Sequence, residues 1–174
     1  MSIDRQEYRD AMAHLGAAVN IITSDGPAGR YGVTASAVFS VTDAPPTLAV
    51  CINRSSNGNA IFRKNGVLCV NTLSAPQSKV STVFAGGDKF SQDERFGSAD
   101  WIQLVTGAPA LRGALVSFDC RISDLLEKGT HTIFFGEIAA VRQGASIGAL
   151  VYFRRNYHQL GHDAAEAIAS KASH

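Results

Sequence analysis

The sequence predicts a mainly β domain: a closed or half-closed antiparallel barrel of six or seven strands with a few short flanking helices. Short apolar, β-rich runs recur from residue 19 to residue 153, parted by turn residues. Helical periodicity is confined to brief stretches between them, and no regular strand–helix alternation of the parallel-sheet kind is present. At 174 residues and 45% apolar content the chain is one domain, long enough to bury a core without disulfides or metal.

Residues 4–14 read as an opening helix. Tyr8, Met12 and Leu15 fall near one face, and Asp4 and Glu7 sit at the end where the helix dipole favours acids. A strand over 19–23 meets the turn Asp25-Gly26-Pro27-Ala28-Gly29. Residues 31–41 and 47–52 follow as strands two and three of an antiparallel meander. A short helix over 57–65 stops at Gly66, and 67–71 is a buried strand. Ser74, Pro76 and Gln77 supply an N-cap, an early proline and a capping-box partner, so a helix should run to about residue 84.

Residues 86–107 form a long irregular excursion rich in Gly, Asp and Ser, with Phe90, Phe96 and Trp101 as anchors. Two long strands, 114–125 and 132–141, join around Lys128-Gly129, and 149–153 is the last strong strand. The barrel domain is expected over 1–162. Residues 163–174 carry helix formers with little to bury and should fray.

Composition narrows the function. A net charge of +1 gives no electrostatic case for nucleic acid or an anionic membrane. The first residues are too charged for a signal peptide, and no apolar run approaches the ~18 residues of a membrane helix. Cys51, Cys69 and Cys120 are an odd number, widely spaced, with no C-x-x-C and no metal-ligand spacing. They read as reduced, buried thiols of a cytoplasmic protein.

The most informative segment runs from Gly32 to Val41. It places Thr34, Ala35, Ser36 and Ser40 where a structural strand would carry Val or Ile, and Pro45-Pro46 then breaks the run. After the next strand comes Asn53-Arg54-Ser55-Ser56-Asn57-Gly58, where free backbone N–H groups, two hydroxyls and a helix dipole converge. A small, polar strand surface beside an anion-friendly loop suits a flat, phosphate-bearing cofactor. The same loop also suits an ordinary strand-to-helix connection capped by Asn57, and both readings stand.

Other motifs are weaker. Gly144-Ala145-Ser146-Ile147-Gly148 matches the nucleophile-elbow pattern, yet the run after it reads as a strand, so the strand–turn–helix geometry is missing. A serine hydrolase using Ser146 is therefore the rival of a different class. There is no G-x-G-x-x-G and no Walker loop. His131 is a turn residue or a site residue. Lys89 is a loop cation or a phosphate contact. Arg154, Arg155 and His158 are a solvated strand end or a basic clamp for a dinucleotide pyrophosphate.

Collinear motifs along most of the chain resemble the short-chain flavin reductase family, the reductase components of two-component flavin-dependent monooxygenases. They include Tyr8-Arg9-Asp10-Ala11-Met12, the 17–23 run, 32–46, Leu68-Cys69-Val70-Asn71-Thr72, Ser117-Phe118-Asp119-Cys120, Gly129-Thr130-His131 and the Tyr152 to His158 ending. The Thr130 in Gly129-Thr130-His131 resembles the subgroup serving 4-hydroxyphenylacetate hydroxylation and pyrimidine utilisation.

The resemblance implies a Greek-key FMN-binding split barrel, a homodimer, and FMN or FAD bound non-covalently. NADH or, less favoured, NADPH would be the hydride donor, and reduced flavin would pass to a partner monooxygenase. It would place Thr34, Ala35, Ser36 and Ser40 along the isoalloxazine and ribityl chain, and Asn53, Ser55, Ser56 and Asn59 at the phosphate end. Lys89 and Phe90 would close over it, with His131, Tyr152 and Tyr157 facing the nicotinamide. The rival within this fold is a flavin-binding barrel without reductase activity, an oxidase or a flavin carrier. Hydride transfer needs stacking and orientation with no protein nucleophile, which fits the lack of an obvious acid–base pair.

Overall fold

The computed structural model describes residues 3–86, 89–145 and 148–161. Its elements in chain order are α1 (Arg5–Met12), β1 (Ala17–Ala18), β2 (Asn20–Ser24), β3 (Tyr31–Ala35), β4 (Val38–Asp43), β5 (Pro46–Asn53), α2 (Asn57–Asn65) and β6 (Val67–Thr72). Then come a 3-10 turn (Ala75–Gln77), α3 (Ser78–Ala85), α4 (Gln92–Gly97), β7 (Trp101–Gln103), β8 (Pro109–Leu111), β9 (Val116–Lys128), β10 (His131–Gln143), β11 (Ala149–Phe153) and β12 (Asn156–Leu160). The seven-stranded sheet has the order β3-β2-β6-β9-β10-β5-β4 with antiparallel neighbours, and β1-β11-β12 form a smaller sheet.

That order forces the sheet to roll. β3 and β4 are its opposite edges, yet only Ser36 and Ala37 lie between them. Seven flat strands would hold the edges roughly 29 Å apart at ~4.8 Å per strand. Three residue steps reach at most about 11 Å. The Cys51 N–H donates to the Ala37 carbonyl at 3.0 Å, binding the link to β5, the neighbour of the β4 edge. The barrel architecture expected from the sequence is therefore present, but the single strand over 31–41 and its meander are not. The small residues Ala35, Ser36 and Ala37 let the run bend, so its first half pairs with β2 and its second with β5.

Strand β2 is buried on both faces. Ile22 enters the barrel interior with Val50, Phe62, Leu68, Val70 and Phe134. Ile21 faces the other way, joining Val19, Leu73, Phe84, Phe96 and Leu150 in a second cluster. The β9–β10 hairpin bends at register shifts beside Phe135/Gly136 and Ile138/Ala140. A Cβ at Gly136 would sit 2.9 Å from the Cys120 Cβ, so only glycine lets the strands approach that closely.

Helix α2 begins and ends as the sequence predicts, with Gly66 left-handed at φ 68. The excursion over 86–107 is more regular than expected. Ser91 and Glu94 form a capping box that starts α4, with Glu94 N–H donating to Ser91 Oγ at 3.2 Å and Ser91 N–H to Glu94 Oε2 at 2.7 Å. Strand β12 was also not anticipated. All its residues are exposed, so it carries no apolar alternation to read. Arg154 and Arg155 turn β11 into β12 at φ 49 and φ 64. A two-residue turn with both φ positive favours Asn-Gly, and each arginine there costs about 1 kcal/mol. Ser146, His162 and the 163–174 tail lie outside the described residues.

A buried polar node ties the sheet to β8. The Asn71 carbonyl oxygen accepts from Leu111 N–H and Ser117 Oγ, both at 2.8 Å, while its amide donates to the Ile21 carbonyl at 3.1 Å. Asn71→Leu strands these groups without partners. It is expected to lower unfolding free energy by about 3 kcal/mol, read from the midpoint and slope of urea denaturation.

Candidate functional site

The strand link at Ser36 and Ala37 has a direct consequence for chemistry. Closing the barrel sets β3 against the β11–β12 hairpin, and a cleft of about 200 Å³ opens there, lined by Thr34, Ala35, Ser36, Ala85, Tyr152 and Tyr157. The tyrosine rings meet edge to face at 5.5 Å. The Tyr157 hydroxyl lies 2.8 Å from Ser81 Oγ, and Thr34 Oγ1 donates to the Ser81 carbonyl at 2.7 Å. Ser81 thus fixes both walls of the cleft from helix α3.

A larger cavity of about 660 Å³ adjoins this cleft, sharing Ala85. Ser55, Ser56 and Asn57 line it at the start of α2, with Tyr31, Phe90 and Gln92 around them. Ser56 caps the helix, its hydroxyl accepting from Gly58 N–H at 3.2 Å. Asn53 shapes the loop before it, since its Oδ1 accepts from both the backbone N–H and the hydroxyl of Ser55 at 2.9 Å. Gly58 is required here: a Cβ would stand 2.3 Å from the Tyr31 ring. The α2 N-terminus, two serine hydroxyls and the absence of a carboxylate among the described lining residues make this end receptive to an anion.

The cavity's other wall depends on residues that sequence reasoning did not single out. Arg95 is 4% exposed. It donates to the carbonyls of Gly32 and Phe84 at 3.1 Å and of Phe90 at 3.3 Å, binding β3, α3 and the Phe90 segment together. Gln92 completes the edge of β3: its Oε1 accepts from Gly32 N–H at 2.8 Å, and its amide reaches the Gly32 carbonyl at 3.4 Å. The Ser91–Glu94 capping-box spacing was the signal that would have placed these two side chains on a helix facing the strand.

Of the residues the sequence nominates, Thr34, Ala35, Ser36, Tyr152 and Tyr157 gather in the inner cleft, and Ser55, Ser56 and Phe90 in the outer cavity. Ser40 lies elsewhere, in a groove with Phe39, Thr47 and Ile138. Asn59 is buried at 5% exposure; its amide donates to the Ile52 carbonyl at 3.3 Å and its oxygen accepts from Arg63 Nε at 2.9 Å. Lys89 is exposed beside the cavity's Phe90. His131 is exposed at the start of β10, opposite Asn53, with its Nδ1 2.9 Å from Thr130 Oγ1. Arg154 and Arg155 are divided: Arg155 pairs with Asp10, while the Arg154 N–H donates to the Ala13 carbonyl at 2.7 Å.

Burial and the nearby Asp119 push the Cys120 thiol up to about 12, and burial pushes Cys69 higher still. Cys51 is half-buried, its thiol also raised by desolvation. Among the described residues no group of three His, Cys, Asp or Glu side chains is placed to hold a metal ion, and no helix is long and apolar enough to cross a membrane.

The site is a narrow hydroxyl- and tyrosine-lined cleft in a rolled antiparallel barrel, adjoining a wider cavity at a helix N-terminus. Comparison with known proteins gives the family. The flavin reductase like domain model matches residues 12–161. FMN reductase (NADH) RutF of Stutzerimonas stutzeri is 58% identical over 156 residues, covering 90% of this chain and 88% of that protein. Among solved structures, a putative flavin reductase from Haemophilus somnus superposes with a TM-score of 0.87 at 47% identity, covering 91% of this chain and 100% of that one. BorF, the flavin reductase component of a bacterial two-component tryptophan halogenase, has a TM-score of 0.83 at 26% identity, covering 90% and 98%. The chain belongs to the flavin reductase family, as the collinear motifs suggested.

The tight seat of β3 gives a test. A Cβ at Gly32 would stand 2.4 Å from Phe84 Cε1. Gly32→Ala is expected to cost about 2 kcal/mol of stability through overpacking. It should also weaken flavin binding by displacing Phe84 from the cavity wall; thermal denaturation and flavin titration check the two effects.

Proposed function

We propose that this chain is an NADH-dependent FMN reductase that passes hydride from nicotinamide to flavin and releases reduced flavin to a separate monooxygenase. The observation that carries the reading is the pair of cavities joined at Ala85, one narrow with paired tyrosines, the other wide and ending at the α2 N-terminus. That shape and polarity fit a flat ring system with a phosphorylated tail. The name FMN reductase (NADH) of a relative 58% identical over nine-tenths of this chain supports the same pair of substrates.

When bound, the flavin supplies the hydride acceptor; the chain's own residues bind, orient and exclude water. The small side chains of Thr34, Ala35 and Ser36 leave room for a ring against the strand. Ser81 holds Thr34 and Tyr157 in place, so the cleft is formed before anything enters it. Ser55, Ser56 and the first turn of α2 meet the phosphate, with Asn53 setting the loop, and Lys89 and Phe90 border it. His131, beside this loop, takes part in positioning the nicotinamide. Asn59 acts one step back: with Arg63 and Thr132 it fixes α2 to the β9–β10 hairpin.

The working unit is a homodimer. Its support is the apolar surface exposed on β4 and the β9–β10 hairpin, where Phe39, Val41, Leu126 and Val141 are each between 44% and 53% exposed. Release to a partner follows the two-component neighbours such as BorF. The cytoplasm is the proposed compartment, on the three free thiols. The domain is taken to span 1–162.

Anaerobic stopped-flow mixing tests the activity. NADH is expected to bleach the visible absorbance of FMN in the presence of the protein, faster than NADPH does. Binding without bleaching by either nucleotide would make the chain a flavin carrier or oxidase instead. The phosphate end has its own test in Ser55→Ala with Ser56→Gly, glycine keeping most of the helix cap. FMN affinity should fall by about 2 kcal/mol while riboflavin affinity hardly changes. Equal losses for both ligands would move the phosphate elsewhere.

A further inference from the structure

We propose that a third cavity, lined by Arg9 and Arg155 beside helix α1, receives the diphosphate of the dinucleotide hydride donor. The inference rests on the reductase reading and assigns the second substrate its place. The inner cleft has two neighbours. The outer cavity meets it at Ala85; the third, of about 760 Å³, meets it at Ser36 and Tyr152. A flavin filling the cleft and the outer cavity leaves this third space as the way for a second nucleotide to reach the ring. Its size is that of a small-molecule site.

The lining chemistry agrees. Arg9 and Arg155 supply donors, the Gln6 amide is held by Asp10 Oδ1 at 2.9 Å, no carboxylate is among the described lining residues, and Met12 and Leu15 offer an apolar wall for a base. Arg155 reaches the cavity from the β11–β12 turn and is steadied by its ion pair with Asp10 on α1. The turn that carries Arg155 is itself unusual. Both of its residues are arginines at positive φ, where Asn-Gly would be relaxed. Non-glycine residues held in the left-handed region point to a function for their side chains.

Phosphate chemistry has two sources here, the dinucleotide and the flavin itself, and the experiment separates them. Arg9→Ala, Arg155→Ala and the double variant are assayed with NADH and with reduced nicotinamide mononucleotide, which lacks the diphosphate. FMN and riboflavin affinities are measured by fluorescence quenching. Each single substitution should raise KM for NADH about fivefold, and the double about 25-fold, from loss of solvent-exposed charge-assisted contacts. No change is expected in kcat, in FMN affinity, or in KM for the mononucleotide. Arg155→Lys should restore part of the loss. Arg9→Ala leaves the Asp10–Arg155 pair intact, so it reads the cavity without loosening α1.

An unchanged KM for NADH in the double variant overturns the proposal. A fall in FMN affinity with riboflavin spared also overturns it, assigning the arginines to the flavin phosphate. Failure of the unsubstituted protein to bleach FMN with NADH is a different result: it defeats the reductase reading and this inference with it.

Discussion

The structure turns on one covalent constraint. Opposite edges of a seven-stranded sheet are joined by the two residues Ser36 and Ala37, so the sheet can exist only as a barrel. The inner cleft lies at that seam. The residues just before it, Thr34 to Ser36, form one wall of the inner cleft, and the β11–β12 hairpin supplies the other with Tyr152 and Tyr157. Ser36 also borders the arginine-lined cavity. A larger side chain at the seam would fill the space that closure creates, which explains why a buried-sheet protein carries Ala, Ser and Ala there.

Around the seam, polar groups are used to fix geometry rather than to react. Arg95 is buried among the carbonyls of three separate segments, and Gln92 stands in for a missing neighbour strand at Gly32. Asn71 does the same for β6, β8 and β9. On α2, Arg63 joins Asn59, Thr132 and Glu127, holding the helix whose N-terminus faces the outer cavity. A reaction in which hydride passes between two bound ring systems requires this kind of rigidity more than a tuned acid or base. The thiols agree: burial keeps Cys69 and Cys120 protonated and away from chemistry.

Much of this was legible in the sequence wherever a local rule had one outcome. Gly66 marked the end of α2 and Lys128-Gly129 the hairpin turn, although the cap of α2 is Ser56 and not the Asn57 that the sequence suggested. The small, hydroxylated run from Thr34 to Ser36 was recognisable as a surface because a core strand would not tolerate it. Other features were hidden because their determinants are not local. Strand β12 has no buried side chain, so no alternation announces it. The break at Ser36–Ala37 follows from which strands each half pairs with. Asn59 looked like a ligand for the phosphate end, but its amide and oxygen are occupied by Ile52 and Arg63.

The sequence by itself determined the mainly β class, the family, and the chemistry the chain can offer: small hydroxyl-bearing strand residues and a cappable helix start. Those depend on side-chain type and on spacings of a few residues. Which of those groups meet was decided by the tertiary structure alone. Ser81 finds Tyr157 and Arg95 finds Gly32 across 76 and 63 residues of chain. Ser40, four residues from Ser36, ends in a different groove. Contacts at such separations are set by barrel closure and strand register, which local pattern does not encode.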